Sequence, residues 1–529
     1  MANTYLYVNP AVNSGSSGDG GNSNPNIITV EPSEGGAGIT AALVALKALD
    51  GGIVQLLTGD YIASAPISPF DAGTPYICDT VIQGTGETRI IHDGSFDGTL
   101  LDLRFQTTGP TSISNTTQGN TSITVGTPGI LTPLIDFLPI PIIIQGVDSD
   151  TLADAENNII VSADDVTGVC NLQYPLSKTL TTPSAIFLTN GMRNIVRDVI
   201  LVLDTPPATQ ALALVMQGGI DTLLSNVRFE GWDQAPNSAN SALVDFQFCI
   251  NTNAERCTIV GSKNIGFRLG NSVDCHLNLL RIEDSVQNGN SNESAIQFDN
   301  AFDCTAKYCQ VNGSGFNGFN NRNEGRRNKW LHNSTLQTAH AGMQIRAGVE
   351  FIVDGNTVER VTTDDSGISV NNPSAVGRHQ ITNNIVKNCT VGNTVGIFLN
   401  GGSDSRIRGN HIEDIKSYHI FLQGAADRCV ITDNYTHLNQ GGDASIAVSG
   451  IDKCIISNNL VNDPSGRGIH VMGDSDQNVI NGNIILAAAT ASIALENSAD
   501  NNIVTNNNCF GLAISQGTGT GNIFANNIE

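Results

Sequence analysis

Residues 406–448 read RIRGNHIEDIKSYHIFLQGAADRCVITDNYTHLNQGGDASIAV, and the pattern in this stretch repeats to the end of the chain. Each unit has an apolar pair, two polar residues, an Asn, a short alternating run, a loop and a second run such as Gly-Ile-x-Val. The Asn recurs every 24 or 25 residues, at Asn410, Asn434, Asn459, Asn483 and Asn507. Two short β-branched strands per unit are typical of stacked coils and predict a solenoid.

A parallel β-helix accounts for each position of this unit. Equivalent residues of successive coils stack about 4.8 Å apart, so alternate Ile and Val residues fill the interior and the residues between them face outward. An Asn at a fixed turn tolerates a left-handed backbone, and its amide can bond the Asn of the next coil. We therefore interpret the repeated Asn residues as a buried structural ladder, with ligand binding by one of them as the alternative.

Composition excludes several classes of partner. The chain has 529 residues, only 14% of them charged, and a formal net charge of −24. Nucleic acids and anionic membranes both require clustered Lys and Arg, so neither is an expected partner. No signal peptide is apparent at residue 1, and Pro139 and Pro141 break the longest apolar run, so we expect a soluble protein folded in a cytosol without membrane insertion.

The 11 cysteines favour structural thiols over disulfides or zinc. Cys429 and Cys454 occupy the position that Asn478 and Asn502 take in later coils, which places them in stacked core rows. The sequence contains no CxxC pair, which argues against a zinc site. We expect no cofactor and no bound metal.

The N-terminal part differs from the repeats. Residues 1–30 are rich in Gly, Ser and Asn beyond a short apolar segment, and we interpret them as an anchoring arm that docks on another protein. Residues 31–104 contain a predicted helix at 41–49 followed by the first coils, and the helix is expected to cover the open end of the core.

The order of motifs after this helix resembles a known family. GGIV at 51–54, GDYI at 59–62 and IQG at 82–84 are similar to the N-terminal capping signature of the pectate-lyase-like superfamily, which is common among phage tailspikes and virion-associated spike proteins. The resemblance, which also covers the coils from Asn194 onward, implies a right-handed parallel β-helix that is usually a homotrimer. It is specific for the fold and not for an activity.

Residues 105–185 depart from the coil rhythm. Short strands between Gly-rich turns predict a small antiparallel β insertion, and the inserts that it resembles in tailspike-like helices form contacts or lids. Residues 186–529 form the predicted β-helix body, with coils of about 24 residues. The loops at 232–241 and 284–293 are expected to carry specificity, which makes Trp232 a candidate binding residue.

Two groups of residues are candidates for chemistry on a polysaccharide. His411 and Glu413 on one coil and Tyr435 and His437 on the next follow the ladder Asn, so they should meet within about 5 Å as an acid/base cluster with Tyr435 as a binding residue. An ordinary polar outer face is the alternative. Asp364 and Asp365 are a second candidate pair for catalysis or cation binding, with a turn-forming role as the alternative.

Apolar residues in outward positions predict an association surface. Exposed stripes of this kind on a solenoid mark subunit contacts, and closed three-fold symmetry suits identical stripes, although a loop of the same chain is an alternative cover. The predicted interface residues are Phe398, Phe421, Leu460, Ile484 and Leu486.

Two functions remain open at this point. The first is a trimeric virion surface spike, either tailspike-like or capsid-decorating, that assembles in a host cytoplasm, binds other virion proteins through its N-terminal arm and attaches to host glycans. The second is a depolymerase, a lyase or a glycoside hydrolase, that acts on capsular or extracellular polysaccharide. An aromatic content of 5% argues against a long sugar-stacking groove and favours the first. A secreted epimerase or lyase would need an export signal, which we do not find.

Overall fold

The computed structural model describes residues 26–49, 51–69, 79–104, 111–132, 135, 138–147, 153–187, 193–236, 241–286, 293–363, 365–496, 498–510 and 512–528. Most of the predicted N-terminal arm lies outside these residues. The described residues form three long parallel sheets of 17, 15 and 13 strands, here named sheets A, B and C, and one closed antiparallel sheet. The predicted all-β solenoid is confirmed.

Sheet A contains the strand that begins each coil. Its strands, in spatial order, are Ile27–Val30, Gly51–Leu56, Asp79–Gly84, Ile195–Arg197, Leu223–Ser225, Asn253–Glu255, His276–Asn278, Thr305–Lys307, Lys329–Leu331, Ile352–Asp354, Gln380–Thr382, Arg406–Arg408, Val430–Thr432, Ile455–Ser457, Val479–Asn481, Ile503–Thr505 and Ile523–Ala525.

Sheets B and C follow in each coil. The strands of sheet B are Gly59–Ala63, Thr88–His92, Ile200–Leu203, Arg228–Glu230, Thr258–Ser262, Arg281–Ser285, Gln310–Ser314, Ser334–Thr338, Thr357–Val361, Ile385–Cys389, His411–Ile415, Tyr435–Asn439, Leu460–Asn462, Ile484–Leu486 and Asn508–Phe510. The strands of sheet C are Gly98–Arg104, Ala211–Gln217, Ala242–Gln247, Ile265–Gly270, Ser294–Asp299, Asn317–Asn321, Met343–Ile345, Ser366–Val376, Val395–Ser403, Ile420–Gln423, Ala444–Ser449, Arg467–Met472 and Ala491–Leu495.

The Asn ladder is present and is longer than predicted. Side-chain Nδ2 donates to the Oδ1 of the next coil at 2.9 Å from Asn410 to Asn434 and from Asn434 to Asn459, and a second donation goes to a backbone carbonyl. The series runs from Asn333 to Asn527. All of these polar groups are thereby satisfied inside the body, which supports the structural interpretation.

The left-handed backbone lies one residue before the position that we predicted. Gly409 and Asp433, which precede ladder residues, have φ angles of 65° and 57°. The side chain of the ladder Asn points inward and forms hydrogen bonds to the Asn of the next coil. The left-handed conformation that turns the chain is therefore taken by the residue before it. Asn458 and Asn506 take this position in later coils, which explains why the sequence shows Asn pairs there.

The core continues along the whole body in stacked rows. Large buried rings lie next to each other in the central coils, where Trp330 meets Phe298 and Phe351 at centroid distances of 6.1 and 5.8 Å. The ten cysteines among the described residues are all buried, and Cys454 N donates to Asn478 Oδ1 at 2.8 Å in the predicted row. Burial raises the pKa of Cys170 to about 11, as expected for core thiols.

One helix, α1, covers the first coil. It spans Gly35–Ala48 and so begins six residues before the predicted start. A short 3-10 helix at Pro32–Glu34 leads into it, and Glu34 Oε2 accepts from Glu31 N at 2.7 Å in a capping arrangement that extends the helix backward. Ile39, Leu43 and Leu46 are buried on the core. Further 3-10 turns occupy Pro128–Ile130 and Trp232–Gln234.

The insertion is a six-stranded closed antiparallel sheet, here called the barrel. Its strands are Thr111–Ser114, Ser122–Val125, Ile140–Val147, Ala153–Ala163, Val169–Leu172 and Thr181–Phe187. The barrel has a core of its own and also shares a small apolar cluster with Val273 and Phe302 of the β-helix. In the sequence, the barrel lies between strand Gly98–Arg104 of sheet C and strand Ile195–Arg197 of sheet A. It therefore packs beside the turns that connect sheet C to sheet A.

A buried ion-pair network fixes the barrel to the β-helix. Asp154 of the barrel is 2% exposed and its carboxylate lies 2.9 Å from Arg326, 3.0 Å from Arg327 and 3.0 Å from Lys178. Burial opposes ionisation of Asp154, but the cations hold its pKa below its ordinary value. The position of the barrel is therefore specified by charge as well as by apolar contact.

No helix among the described residues has the length and apolar character that a membrane-spanning helix needs.

Candidate functional site

A deep cleft separates the barrel from the outer face of sheet A, and we call it the barrel cleft. Its volume is about 1210 Å³. The residues that line it are Ala155, Glu156, Asn157, Ser177, Lys178, Asn251, Asn253, Ala254, Glu255, Val273, Asp274, His276, Leu277, Asn278, Leu279, Asp303, Thr305, Lys307, Tyr308 and Lys329. Most of them carry polar or charged side chains.

The pairing of strands from successive coils determines which residues form the floor of the cleft. His276 pairs with Thr305, which pairs with Lys329 on the following coil, and Asn278 pairs with Lys307 in a second row. These residues alternate with buried ones such as Leu277 and Trp330, so they point away from the core. The two outward rows give the barrel cleft a floor that extends along the helix axis.

Asp274 and His276 form the most perturbed pair in the cleft. Asp274 Oδ1 lies 3.5 Å from His276 Nε2. Burial between the cleft walls lowers the pKa of His276, with Asp274 opposing and Lys329 adding to this effect, while burial raises the pKa of Asp274 despite the nearby His276. The side chains of His276 and Asp274 remain 41% and 55% exposed, because they face the open cleft. Opposed shifts within one cleft are typical of acid/base sites.

Charged side chains on the walls are held in fixed positions. Arg327 Nε and Nη2 lie 2.6 and 2.7 Å from the Asp303 carboxylate, and Arg327 also contacts Asp154 of the anchoring network. On the barrel side, Glu156 accepts from Ser177 N at 3.0 Å. These walls are therefore organised before any ligand binds.

Several groups at the cleft have unused binding capacity. The Oδ1 atoms of Asn157 and Asn278 are buried and have no hydrogen-bond partner among the described residues. Among the residues that the structure describes, Lys307 and Lys329 form no ion pair. Lys307 Nζ lies 4.7 Å from the centroid of the Tyr308 ring. The cleft thus offers ammonium groups and an aromatic ring that is 46% exposed.

The predicted acid/base cluster is brought together on the outer face of sheet B. His411 pairs in register with Tyr435, and Glu413 pairs with His437. His411 Nε2 lies 3.3 Å from Glu413 Oε2, and the His411 and Tyr435 rings meet edge to face at 4.8 Å. The side chains of His411 and Glu413 are 45% and 43% exposed. Their predicted proximity is confirmed, whereas a catalytic role stays a prediction.

Other predicted site residues have different surroundings. Asp364 lies outside the described residues. Asp365 Oδ2 lies 3.5 Å from His340 Nδ1, and burial raises the pKa of its carboxyl. Trp232 is fully buried and its indole nitrogen donates to Leu201 O at 3.0 Å, so its ring is not available to a ligand. Among the described residues, no group of three or more His, Cys, Asp or Glu side chains has a metal-binding arrangement.

The predicted interface residues lie in outward rows, as expected. Phe398 and Phe421 stack on sheet C at 5.8 Å between ring centroids. Leu460 pairs with Ile484, and Leu486 pairs with Phe510, on sheet B. Ile484 is 42% exposed and Phe510 is 53% exposed. The structure describes one chain, so a subunit contact through these rows stays a prediction.

Sequence reasoning missed the residues of the barrel cleft. His276 and Lys329 lie on short strands with ordinary polar neighbours, and Asp274 lies in the turn before the first of these strands. Only the alternation around Leu277 marks His276 as outward. The opposite wall comes from the insertion, more than one coil away along the chain. Sequence spacing alone does not show that these two segments meet.

Comparisons with known proteins agree with the fold. Residues 326–485 and 366–528 match the family model described as right handed beta helix region. No curated protein sequence matches the chain.

Solved structures with a similar fold include two tailspikes and an adhesin. The tailspike protein gp49 from Pseudomonas phage LKA1 shares 14% identity at a TM-score of 0.47, over 87% of this chain and 75% of that one. The Gp54 tailspike of Acinetobacter baumannii bacteriophage AP22, solved with a capsular saccharide, shares 10% identity at a TM-score of 0.41, over 88% and 74%. The Streptococcus pneumoniae surface protein and adhesin PfbA shares 10% at 0.40, over 94% and 100%. The chain is a right-handed parallel β-helix, and its C-terminal coils carry the sequence pattern of the right handed beta helix family.

Proposed function

We propose that the chain is a tailspike-like virion surface spike that binds a host surface polysaccharide in the barrel cleft. The observation that carries this proposal is the cleft itself, a groove of about 1210 Å³ between the barrel and sheet A that is lined mostly by residues with polar side chains. Pockets for small ligands measure about 300–1,000 Å³. The barrel cleft is larger, and an oligosaccharide segment of a polymer is a ligand of suitable size and polarity.

Two lysines of the cleft floor would bind the carboxylate groups of a glycan, although the lining as a whole has four carboxylates and three ammonium groups. Lys307 and Lys329 lie on the floor in neighbouring outward rows, one coil apart. A sugar carboxylate between them would form charge-assisted hydrogen bonds. The exposed part of the Tyr308 side chain, whose ring also stacks on His332, would contact the sugar ring.

Apolar rows support assembly into a homotrimer. Ile455, Ile503 and Ile523 lie in one outward row of sheet A and are 42%, 37% and 53% exposed. Identical stripes on parallel helices suit a closed three-fold arrangement. In this proposal the spike assembles in the host cytoplasm, and residues 1–30 dock on another virion protein.

The test measures assembly and glycan binding on the same sample. Light scattering should give a mass three times the 55.7 kDa of the chain. Biolayer interferometry against immobilised acidic and neutral capsular polysaccharides should show binding to an acidic polymer, and Lys329→Ala should weaken this binding about tenfold. Lys387→Ala, which removes a lysine from the outer face of sheet B, is the matched control and should bind normally. A monomer would contradict the trimer, and equal binding by Lys329→Ala would contradict the use of the cleft.

A depolymerase is the second candidate, because Asp274 and His276 have opposed pKa shifts on the cleft floor. In a β-elimination, the neutral imidazole takes the proton from the carbon next to a sugar carboxylate, whose charge Lys329 would balance. The electrons of that C–H bond form a C=C bond, and the glycosidic C–O bond breaks. The leaving oxygen takes a proton from the Asp274 carboxyl.

This candidate is tested by the release of unsaturated sugar ends, measured by their ultraviolet absorbance. The imidazole is neutral at pH 7 because burial lowers the pKa of His276, so the rate should fall as the pH drops below the ordinary value of 6.5. It should also fall as rising pH removes the proton that Asp274 donates. His276→Gln should abolish release while leaving polymer binding intact. Binding without release in the native protein would leave the adhesion spike as the function and exclude the depolymerase for the polymers tested.

A further inference from the structure

A second groove lies on a different sheet of the β-helix, over the first strands of sheet C, and we call it the sheet C groove. Its volume is about 380 Å³. The groove shares no lining residue with the barrel cleft. None of the predicted site residues falls in it either, so the functions considered above leave it unexplained.

Two outward rows of side chains form its floor. Register pairs Asp102 with Val215, Val215 with Asp245 and Asp245 with Arg268. The second row, two residues further along each strand, consists of Arg104, Gln217 and Gln247. Both rows alternate with core residues, so every one of these side chains faces away from the interior.

The charged groups of the floor are fixed by one another. Arg104 Nε lies 2.8 and 3.0 Å from the two Asp102 carboxylate oxygens, and Arg268 Nε lies 2.9 Å from Asp245 Oδ1. Gln247 Nε2 donates to Asp245 Oδ2 at 2.7 Å. Asp102 and Asp245 are only 8% and 4% exposed, so their orientation is held by burial as well. A ligand would meet a rigid polar surface.

The wall of the groove is also polar and preformed. Asp97 Oδ1 accepts from Thr209 N at 2.7 Å and from Gln210 N at 3.3 Å, and these bonds hold the pKa of its carboxyl below the ordinary value. Gln210 Nε2 donates to Ser241 Oγ at 3.2 Å. Amide and hydroxyl groups therefore stand beside the ionised groups of the floor.

The first outward row extends beyond the groove with unused hydrogen-bonding groups. Gln297 and Asn320 follow Arg268 in register. Both are fully buried, and Gln297 Nε2 and both amide atoms of Asn320 have no partner among the described residues. Full burial keeps these groups away from solvent, so they lie outside the surface that the groove offers to a ligand.

The balance of charge indicates the class of ligand. Three carboxylates, from Asp97, Asp102 and Asp245, face two guanidinium groups, from Arg104 and Arg268, so an anion is disfavoured. Paired carboxylates, guanidinium groups and amides provide alternating acceptors and donors, which match the adjacent hydroxyl groups of a sugar. From this arrangement we infer that the sheet C groove binds a neutral saccharide, independently of the barrel cleft.

The experiment uses the full chain and a panel of neutral disaccharides, namely maltose, cellobiose, lactose and chitobiose, with binding followed by saturation-transfer difference NMR. Val215→Trp fills the centre of the floor without removing a charge, and it should weaken binding of the preferred disaccharide at least about tenfold. Gln210→Ala removes a wall amide without adding volume and should weaken the same binding, which keeps the test valid if the tryptophan variant fails to fold.

Two controls separate this site from the rest of the molecule. Gln423→Trp places the same bulk on an outward row of sheet C outside the groove, and Lys329→Ala alters the barrel cleft. Both should bind the disaccharide like the native chain. The inference is overturned if no disaccharide of the panel binds saturably, or if Gln210→Ala and a folded Val215→Trp protein both bind with native affinity. Loss of binding in Lys329→Ala would assign the saccharide to the barrel cleft and equally overturn it.

Discussion

Protonation of His419 should destabilise the β-helix, because the structure holds this imidazole in its neutral form. The side chain is fully buried. Its Nε2 lies 2.9 Å from His437 O and its Nδ1 lies 2.8 Å from Ser445 Oγ. A carbonyl can only accept, so Nε2 carries the proton and Nδ1 accepts from the Ser445 hydroxyl. Burial lowers the pKa of His419 to about 4.

The size of the effect follows from the difference between folded and unfolded pKa values. Below pH 6.5 the unfolded chain binds a proton at this position and the folded chain does not, so stability present above pH 6.5 is lost as the pH falls toward 4. The full shift corresponds to about 3 kcal/mol, and about 2.5 kcal/mol of it is lost by pH 4.5. His379, whose pKa burial also lowers to about 4, adds a similar contribution.

Urea unfolding at pH 7.5 and pH 4.5 measures this loss in the native chain and in His419→Gln. Glutamine keeps an amide in the same place but does not titrate, so the variant should lose about 2.5 kcal/mol less than the native chain between the two pH values. The control is His411→Gln, which changes a half-exposed histidine of the same coil and should lose as much as the native chain. An equal loss in the native chain and in His419→Gln would refute the reasoning.

Three further outcomes are expected. Asn434→Ala should lower the free energy of unfolding by about 3 kcal/mol, since it leaves ladder groups on both neighbouring coils unpaired, whereas Asn400→Ala on the outer face should change it by less than about 1 kcal/mol in the same urea titration. Asp154→Ala leaves buried cations without a counter-ion at a cost of about 3–5 kcal/mol, and limited proteolysis should then cut the barrel before the β-helix. Burial raises the pKa of Cys170 to about 11, so a thiol reagent at pH 8 should label this residue only after denaturant is added, and rapid labelling of the native protein would contradict its burial.

The ladder and the coil rows could be predicted because their determinants are local and repeated. A fixed interval between Asn434 and Asn459 implies that they stack, and the alternation around Ile456 identifies the inward side of each strand. The same reasoning placed His411 beside Tyr435 correctly, since register follows from the repeat. It failed for Trp232, because a ring that follows a strand is equally compatible with an outer loop and with the core.

The barrel cleft could not be predicted from the repeat, because its two walls come from segments with different periods. Lys178 and Glu156 belong to the antiparallel barrel, whereas His276 and Lys329 belong to sheet A. Their proximity depends on how the barrel packs, and the buried contacts of Asp154 fix that arrangement. The repeat pattern in the sequence gives no information about such a contact between separate segments.

The amino-acid sequence by itself determined the solenoid, its Asn ladder and the direction in which each strand residue points, because stacking makes every coil depend on its nearest neighbours alone. Only the tertiary structure decided where the chemistry lies. The pKa shifts of Asp274 and His276 arise from burial between the barrel and sheet A, and the sheet C groove exists because four successive strands of sheet C bring their outward rows together. Burial and charge proximity are properties of the packed chain, so both sites emerge only when distant segments meet.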